Sequence, residues 1–226
     1  MLRLTRGGRA RLRGRSETMT NVPTVLSEWE SKKLLGSALP TPREALTTSV
    51  EEAVALATSI GRPVVAKASS VAHKSDAGLV RIGLSPDELQ QCWSQLAEAG
   101  DGTVLVAERL HGELELIIGG SRDTSFGPLI TVGLGGVAAE VFDDVAVLLS
   151  PPEPGELDAA LRRLRSAALL EGFRGTPAVD RTALTHIVGL VAQRLDQDPD
   201  VMEIDCNPVL VCEGRLVVLD ALVVKR

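Results

Sequence analysis

Apolar residues recur at two spacings along this chain, and the spacing changes where serine, glycine and proline intervene. Ser27-x-x-Glu30 and Ser49-x-x-Glu52 read as capping boxes, each pairing an N-cap oxygen with a returning carboxylate. The first predicted helix runs to about Gly36. The second carries Ala53, Val54, Leu56, Ala57 and Ile60 on one stripe and stops at Gly61, and Pro63 then opens a strand, Val64 to Ala68. After a loop comes a strand from Leu79 to Leu84. Ser85-Pro86-Asp87-Glu88 then starts a third helix ending near Gly100. Strands are expected over Thr103 to Glu108, Glu113 to Ile118, Pro128 to Val132 and Val145 to Leu149, followed by helices Gly155 to Leu170 and Asp180 to Leu195. Strands and helices mix without strict alternation, which predicts an α+β fold with mainly antiparallel sheets. Two lobes are expected, 25–102 and 103–226, with a cleft between them and a disordered basic extension, 1–24, in front.

The chain closes on Glu203-Ile204-Asp205-Cys206-Asn207-Pro208 and Leu216-Val217-Val218-Leu219-Asp220-Ala221-Leu222-Val223-Val224, separated by the hairpin turn signal Glu213-Gly214. With those two residues as the turn, Cys212 faces Arg215 and Asn207 falls opposite Asp220. Residues so paired keep their Cβ atoms about 4.5–5.5 Å apart. Alternation puts Glu203 and Asp205 on the same face and sends Met202, Ile204 and Cys206 to the other. Two carboxylates and an amide carbonyl therefore converge, a hard oxygen set suited to Mg²⁺ shared with nucleotide phosphates. The same pattern also describes the polar outer face of a hairpin.

Composition narrows the class. A hydrophobic content of 44% over 226 residues supports a real core, and no apolar run approaches the length of a membrane span. The three cysteines, Cys92, Cys206 and Cys212, form no C-x-x-C pair, which predicts a reducing, cytoplasmic setting without disulfides or zinc. Six arginines and no acid occupy residues 1–16, leaving 18 basic against 30 acidic residues in the rest of the chain. A body that acidic is a poor general binder of nucleic acid. Met19 reads as an alternative start, with the basic head an extension without function.

Several further residues carry chemistry. Lys67 points away from Val64 and Ala66 on its strand, placed either to reach solvent or to meet phosphate as a point charge. Glu108 and Glu115 are expected on neighbouring strands joined by Leu110-His111-Gly112, where they read as solvated glutamates or, near an adenosine, as acceptors from ribose hydroxyls. Gly133-Leu134-Gly135-Gly136 offers backbone amides to an anion, or simply turns the chain. Arg174, between Gly172 and Gly175, suits a bidentate phosphate contact and equally a helix-ending turn. His73, in His73-Lys74-Ser75-Asp76, lies in a polar loop after the Lys67 strand and reads either as an ordinary surface histidine or, since an unperturbed imidazole is largely neutral near pH 7.5, as a group that could act as a nucleophile toward a phosphoryl group.

The ordered set Pro63-Val64-Val65-Ala66-Lys67, His73-Lys74-Ser75-Asp76, Glu115-Leu116-Ile117-Ile118-Gly119, Phe126-Gly127-Pro128, Gly133-Leu134-Gly135-Gly136-x-x-x-Glu140, Gly172-x-Arg174-Gly175 and Glu203-Ile204-Asp205-x-Asn207-Pro208 resembles the ATP-grasp (beta) subunit of the ADP-forming acyl-CoA synthetases, the acetate-CoA ligases. More distantly it is similar to the beta subunit of succinyl-CoA synthetase. The resemblance covers about Leu26 to Val224. It implies an ATP-grasp fold whose two lobes grip ATP or ADP, with Lys67 on the phosphates, Glu108 at the adenine hinge and Glu115 on the ribose. It implies Mg²⁺ on Asn207 and Asp220, with Asp205 as a further ligand. His73 would shuttle a phosphoryl group between the nucleotide site and a phosphohistidine on a CoA-binding alpha subunit, which would also bind the small carboxylic acid. The alternative is a regulatory ATP-binding module without phosphoryl transfer. Where relatives often carry an arginine after Asp-Val-Ala, this chain has Leu148.

Overall fold

The computed structural model describes residues 23–69, 78–112, 114–136, 144–174 and 177–226. In order the elements are β1 (Thr24–Val25), α1 (Glu28–Leu35), β2 (Glu44–Thr47), α2 (Val50–Ile60), β3 (Val64–Ala68), β4 (Val80–Leu84), α3 (Pro86–Ala99), β5 (Val104–Glu108), β6 (Leu114–Asp123), β7 (Gly127–Leu134), β8 (Val145–Leu149), α4 (Glu156–Leu161), α5 (Ala167–Leu170), α6 (Arg181–Gln197), β9 (Val201–Cys212), β10 (Arg215–Val218) and β11 (Ala221–Lys225). They form two sheets. The larger runs β1-β11-β9-β6-β7-β8, with β10 also on β9, and the smaller runs β2-β5-β3-β4. Every pairing among the described strands is antiparallel, as an α+β fold requires.

Each sheet buries one face under helices. On the smaller sheet Val64, Ala66 and Ala68 meet Ala53 and Ala57 of α2 and Leu89, Trp93 and Leu96 of α3. The Trp93 indole N–H there donates to Thr47 Oγ1 at 3.0 Å, and Thr47 donates to the Val104 carbonyl at 2.8 Å, so both buried polar groups are satisfied. On the larger sheet Ile118, Ile130, Ile204 and Cys206 pack against Leu184, Ile187, Val191 and Leu195 of α6. Burial pushes the Cys206 thiol up to about 12, so it behaves as a small apolar residue. Leu148 belongs to this core at 7% exposure, which explains an apolar residue at that position.

Local capping sets the helix starts. At Ser27–Glu30 and Ser85–Glu88 both halves of the box form, with hydroxyl accepting and carboxylate returning. At Ser49 only half forms, because the Glu52 carboxylate reaches one residue further back, to the amide and hydroxyl of Thr48.

Four expectations need correction. The helix expected from Gly155 to Leu170 is broken into α4 and α5: the Asp144 carboxylate accepts from the amides of Arg165 and Ser166 at 2.9 and 2.7 Å, withdrawing both from a helical ladder. Strand β2 was not expected; Glu44–Thr47 is short and pairs only with β5 at the sheet edge. Two strands lie on the other side of the boundary placed at 102/103. Strand β5 sits in the centre of the smaller sheet, where Val104 to Ala107 are buried on both faces, and β1 completes the larger one. Glu108 and Glu115 consequently stand on different sheets, and the segment between them is the crossing from one lobe to the other.

Candidate functional site

The closing hairpin forms in the register its turn dictates. Glu213 and Gly214 take φ of 52° and 74°, the left-handed pair of a tight hairpin turn. Cys212 faces Arg215, pairing continues to Val209 opposite Val218, and it resumes at Cys206 opposite Ala221. Between these stretches the Asn207 amide donates to the Asp220 carbonyl at 3.2 Å and the Leu219 amide to the Pro208 carbonyl at 3.0 Å. Asn207 and Asp220 are thus opposite, as expected. Pro208, lacking an N–H, cannot return the bond, and Leu219 and Asp220 fall outside the strands.

Ile204 and Cys206 point into the core, so Glu203, Asp205 and Asn207 face the open side of the sheet. Half-buried Asp205 has no hydrogen-bond donor among the described residues. Burial, and then the Glu203 charge, raise its carboxyl above the usual carboxylate range. A nearby cation would relieve that penalty. Among the described residues no cluster of three His, Cys, Asp or Glu could hold a metal on its own. Two carboxylates and an amide oxygen fit Mg²⁺ that takes its remaining oxygens from phosphates and water.

A cleft of about 330 Å³ opens between the hairpin and the smaller sheet. Val65, Ile82 and Leu110 line it with Lys67, Glu108 and Asp220. Alternation along β3 buries Val64, Ala66 and Ala68 and turns Lys67 the other way. The Lys67 ammonium donates to Glu28 Oε1 at 2.8 Å and to the Leu219 carbonyl at 3.0 Å, and lies 3.8 Å from Asp220 Oδ2. A cation from one sheet and an acid from the other therefore meet at the cleft. At its far wall Glu108 Oε1 accepts from the Arg43 amide at 3.1 Å, which fixes the carboxylate at the lobe crossing.

Other expected residues stand apart. Glu115 shares the open face of the larger sheet with Asp205, and its carboxylate occupies the space a Cβ on Gly136 would fill. The glycine run follows from this packing: the Gly135 amide donates to the Glu115 carbonyl at 2.7 Å, so it is not available to an anion, and a Cβ on Gly135 would come 3.0 Å from the Leu116 backbone. Arg174 is exposed, adopts φ 51°, and lies over the Phe173 ring at 5.2 Å; nothing among the described residues links it to the cleft. His73 lies outside the described residues, as do residues 1–22. Arg109 and His111 line the cleft without having been expected there. Glu28, Lys32 and Glu44, behind Lys67, were missed too. Their one sequence signal is Glu28 and Lys32 at i,i+4, which reads equally as a solvated helix face.

Residues 17–224 match the ATP-grasp domain family. The chain belongs to that family. It is 35% identical over 202 residues to the 4-hydroxybutyrate-CoA ligase (ADP-forming) of Nitrosopumilus maritimus, a match covering 84% of this chain and 29% of that one. It is 32% identical over 225 residues to the acetate-CoA ligase (ADP-forming) II subunit beta of Pyrococcus furiosus, covering 92% and 95%. The ATP-grasp chain thus spans under a third of the first relatives and nearly the whole of the beta subunit. Among solved structures, the acetyl-coenzyme A synthetase 1 of Ca. Korarchaeum cryptofilum, in complex with coenzyme A, Ca-AMPCP and HgCl+, superposes with a TM-score of 0.80 at 32% identity, covering 89% of this chain and 93% of that one. No described helix is long and apolar enough to cross a membrane.

Proposed function

We propose that this chain is the nucleotide-binding, phosphoryl-transferring beta component of an ADP-forming acid-CoA ligase. The observation that carries the reading is the meeting of Lys67 and Asp220, from opposite sheets, at a cleft sized for part of a nucleotide. The overall reaction converts acyl-CoA, ADP and phosphate into acid, CoA and ATP. Phosphate displaces CoA from the acyl carbon, and a histidine nitrogen of the alpha component takes the phosphoryl group from the acyl phosphate and frees the carboxylate. His73, the residue of this chain assigned to the relay, takes the phosphoryl group from that phosphohistidine as its P–N bond breaks. The β-phosphate oxygen of ADP then attacks phosphorus as the P–N bond to His73 breaks. A phosphorylated imidazole is itself a high-energy species, so little driving force is lost at each hand-over.

The chain's own residues divide the work of binding. Lys67 neutralises phosphate oxygens, Glu108 accepts from the adenine amino group at the lobe crossing, and Glu115 accepts from ribose hydroxyls. Arg174 is assigned a phosphate contact. Asp205, Asn207 and Asp220 would hold Mg²⁺, which when bound supplies charge neutralisation for the phosphates. The Korarchaeum synthetase described with Mg-AMPPCP supports that choice of ion. Coenzyme A and the carboxylic acid are assigned to a CoA-binding alpha component, consistent with the separate beta subunits among the relatives. A cytoplasmic location agrees with three free thiols.

Purified chain, alpha component and γ-labelled ATP should give acid-labile, base-stable label that disappears in a His73→Ala variant. Equal labelling of that variant rules out the relay role, and saturable ATP binding without any label favours the regulatory module.

The metal assignment predicts a pH dependence. Because the folded carboxyl of Asp205 titrates above its unfolded value, its ionised form weakens the fold above that pKa, and protonation relieves the strain as pH falls through it. Mg²⁺ binds only the ionised form, so the rise in Tm produced by Mg-ADP should shrink as pH falls through the raised Asp205 pKa. Asp205→Asn should make that decline shallower, leaving the part due to protonation of the ADP phosphate itself. A thermal shift from Mg-ADP that is independent of pH in the parent chain counts against Asp205 as a ligand.

A further inference from the structure

A compact ionic cluster lies behind the cleft rather than in it. The Lys32 side chain, on α1, is only 3% exposed. Its ammonium donates to Glu28 Oε1 at 2.9 Å, Glu44 Oε2 at 2.8 Å and the Leu219 carbonyl at 3.0 Å. Lys67 shares two of these acceptors, Glu28 Oε1 and the Leu219 carbonyl. Burial works against a charged Lys32, but the Glu28 and Glu44 carboxylates outweigh it and raise the ammonium above the ordinary lysine value. Lys32 therefore stands as a fixed cation against two buried acids, one of which it shares with Lys67.

The placement of the acceptors gives the cluster a consequence for the site. The Leu219 carbonyl belongs to the peptide that carries Asp220, in the gap between β10 and β11 where the ladder is interrupted. Glu44 comes from the smaller sheet, while α1 packs on β11 of the larger. The cluster thus ties both lobes to the segment bearing a metal ligand. Without Lys32, Lys67 would be the one of these two lysines left to donate to Glu28 Oε1 and the Leu219 carbonyl, and would be drawn back from the cleft.

We propose that Lys32 is a positioning residue for the nucleotide site: it fixes the Leu219–Asp220 peptide and shares with Lys67 the Glu28 carboxylate and the Leu219 carbonyl, so that the Lys67 ammonium and the Asp220 carboxylate are held at the cleft where phosphate and metal would bind. The inference rests on the nucleotide-binding reading above. Nothing in the cluster touches the reacting atoms, so Lys32 acts through Lys67 and Asp220.

The test separates charge balance from positioning. Lys32→Met alone leaves buried carboxylates undercompensated and would destabilise the chain for that reason. The double variant K32M/E44Q removes one charge of each sign. It should melt within about 5 °C of the parent chain yet bind Mg-ADP about tenfold more weakly by calorimetry, ~1.4 kcal/mol. The variant K32Q/E44Q has the same charge count but keeps an N–H donor for the Leu219 carbonyl, and should recover affinity to within about threefold of the parent. Equal Mg-ADP affinity in the two double variants, parent-like affinity in K32M/E44Q, or failure of both to fold overturns the positioning role. A parent chain that binds no Mg-ADP overturns the nucleotide reading itself, and the inference with it.

Discussion

Lys67→Met should weaken Mg-ADP binding by about 100-fold, ~2.7 kcal/mol, while leaving the chain folded. The lysine side chain is 12% exposed, with its stem along β3 and its ammonium at the cleft. Methionine keeps much of the apolar stem and removes the charge. On the proposed function phosphate oxygens would lose a cation, and Asp220 would lose the ammonium 3.8 Å away. The fold survives because Glu28 keeps its second partner, Lys32, at 2.9 Å. Calorimetric titration of the parent and variant chains checks the affinity, and a melting curve checks the fold. Affinity within about threefold of the parent would remove Lys67 from the phosphate site.

Gly112→Ala should lower stability by about 3 kcal/mol and Tm by about 10 °C. Gly112 ends the crossing from β5 to β6, where the chain passes against β9. A Cβ there would overlap the Val211 carbonyl and lie 2.5 Å from Leu210 Cγ. Leu210 is only 4% exposed and cannot swing away, and the carbonyl belongs to a central strand. Relief requires moving the backbone of β9, which also carries Asp205 and Asn207. Nucleotide affinity should therefore fall together with stability. A Tm within about 2 °C of the parent would show that β9 yields at little cost.

The parts of the site that were legible in the sequence are those governed by neighbours along the chain. Glu213-Gly214 specified the turn, and a two-residue turn leaves a single register, which set Asn207 against Asp220 before any fold was known. Alternation along Val64–Ala68 turned Lys67 away from the core for the same local reason. The full capping boxes at Ser27 and Ser85 formed because hydroxyl and carboxylate lie within one helical turn. Ser49 shows the limit: a threonine one residue upstream competed for Glu52 and won.

What was not legible depended on partners distant in sequence. The break between α4 and α5 is made by Asp144, more than twenty residues before the amides it captures. Gly133-Leu134-Gly135-Gly136 offers amides on paper, but Glu115 and β6 occupy the space and one of the donors. Strand β5 reads like any buried strand, and only the helices over the smaller sheet decide which lobe receives it.

The amino-acid order by itself determined the α+β composition, the hairpin register and the direction in which Lys67 and Asp205 face, because periods of two and 3.6 residues and short turns act over a few peptide units. The tertiary structure alone decided that Lys67 meets Asp220, that Glu28, Lys32 and Glu44 stand behind them, and that Glu108 lines the cleft while Glu115 lies on the other sheet against Gly136. Electrostatic pairing across lobes has no period to read: it depends on which buried charges the packed sheets bring within a few ångströms of each other.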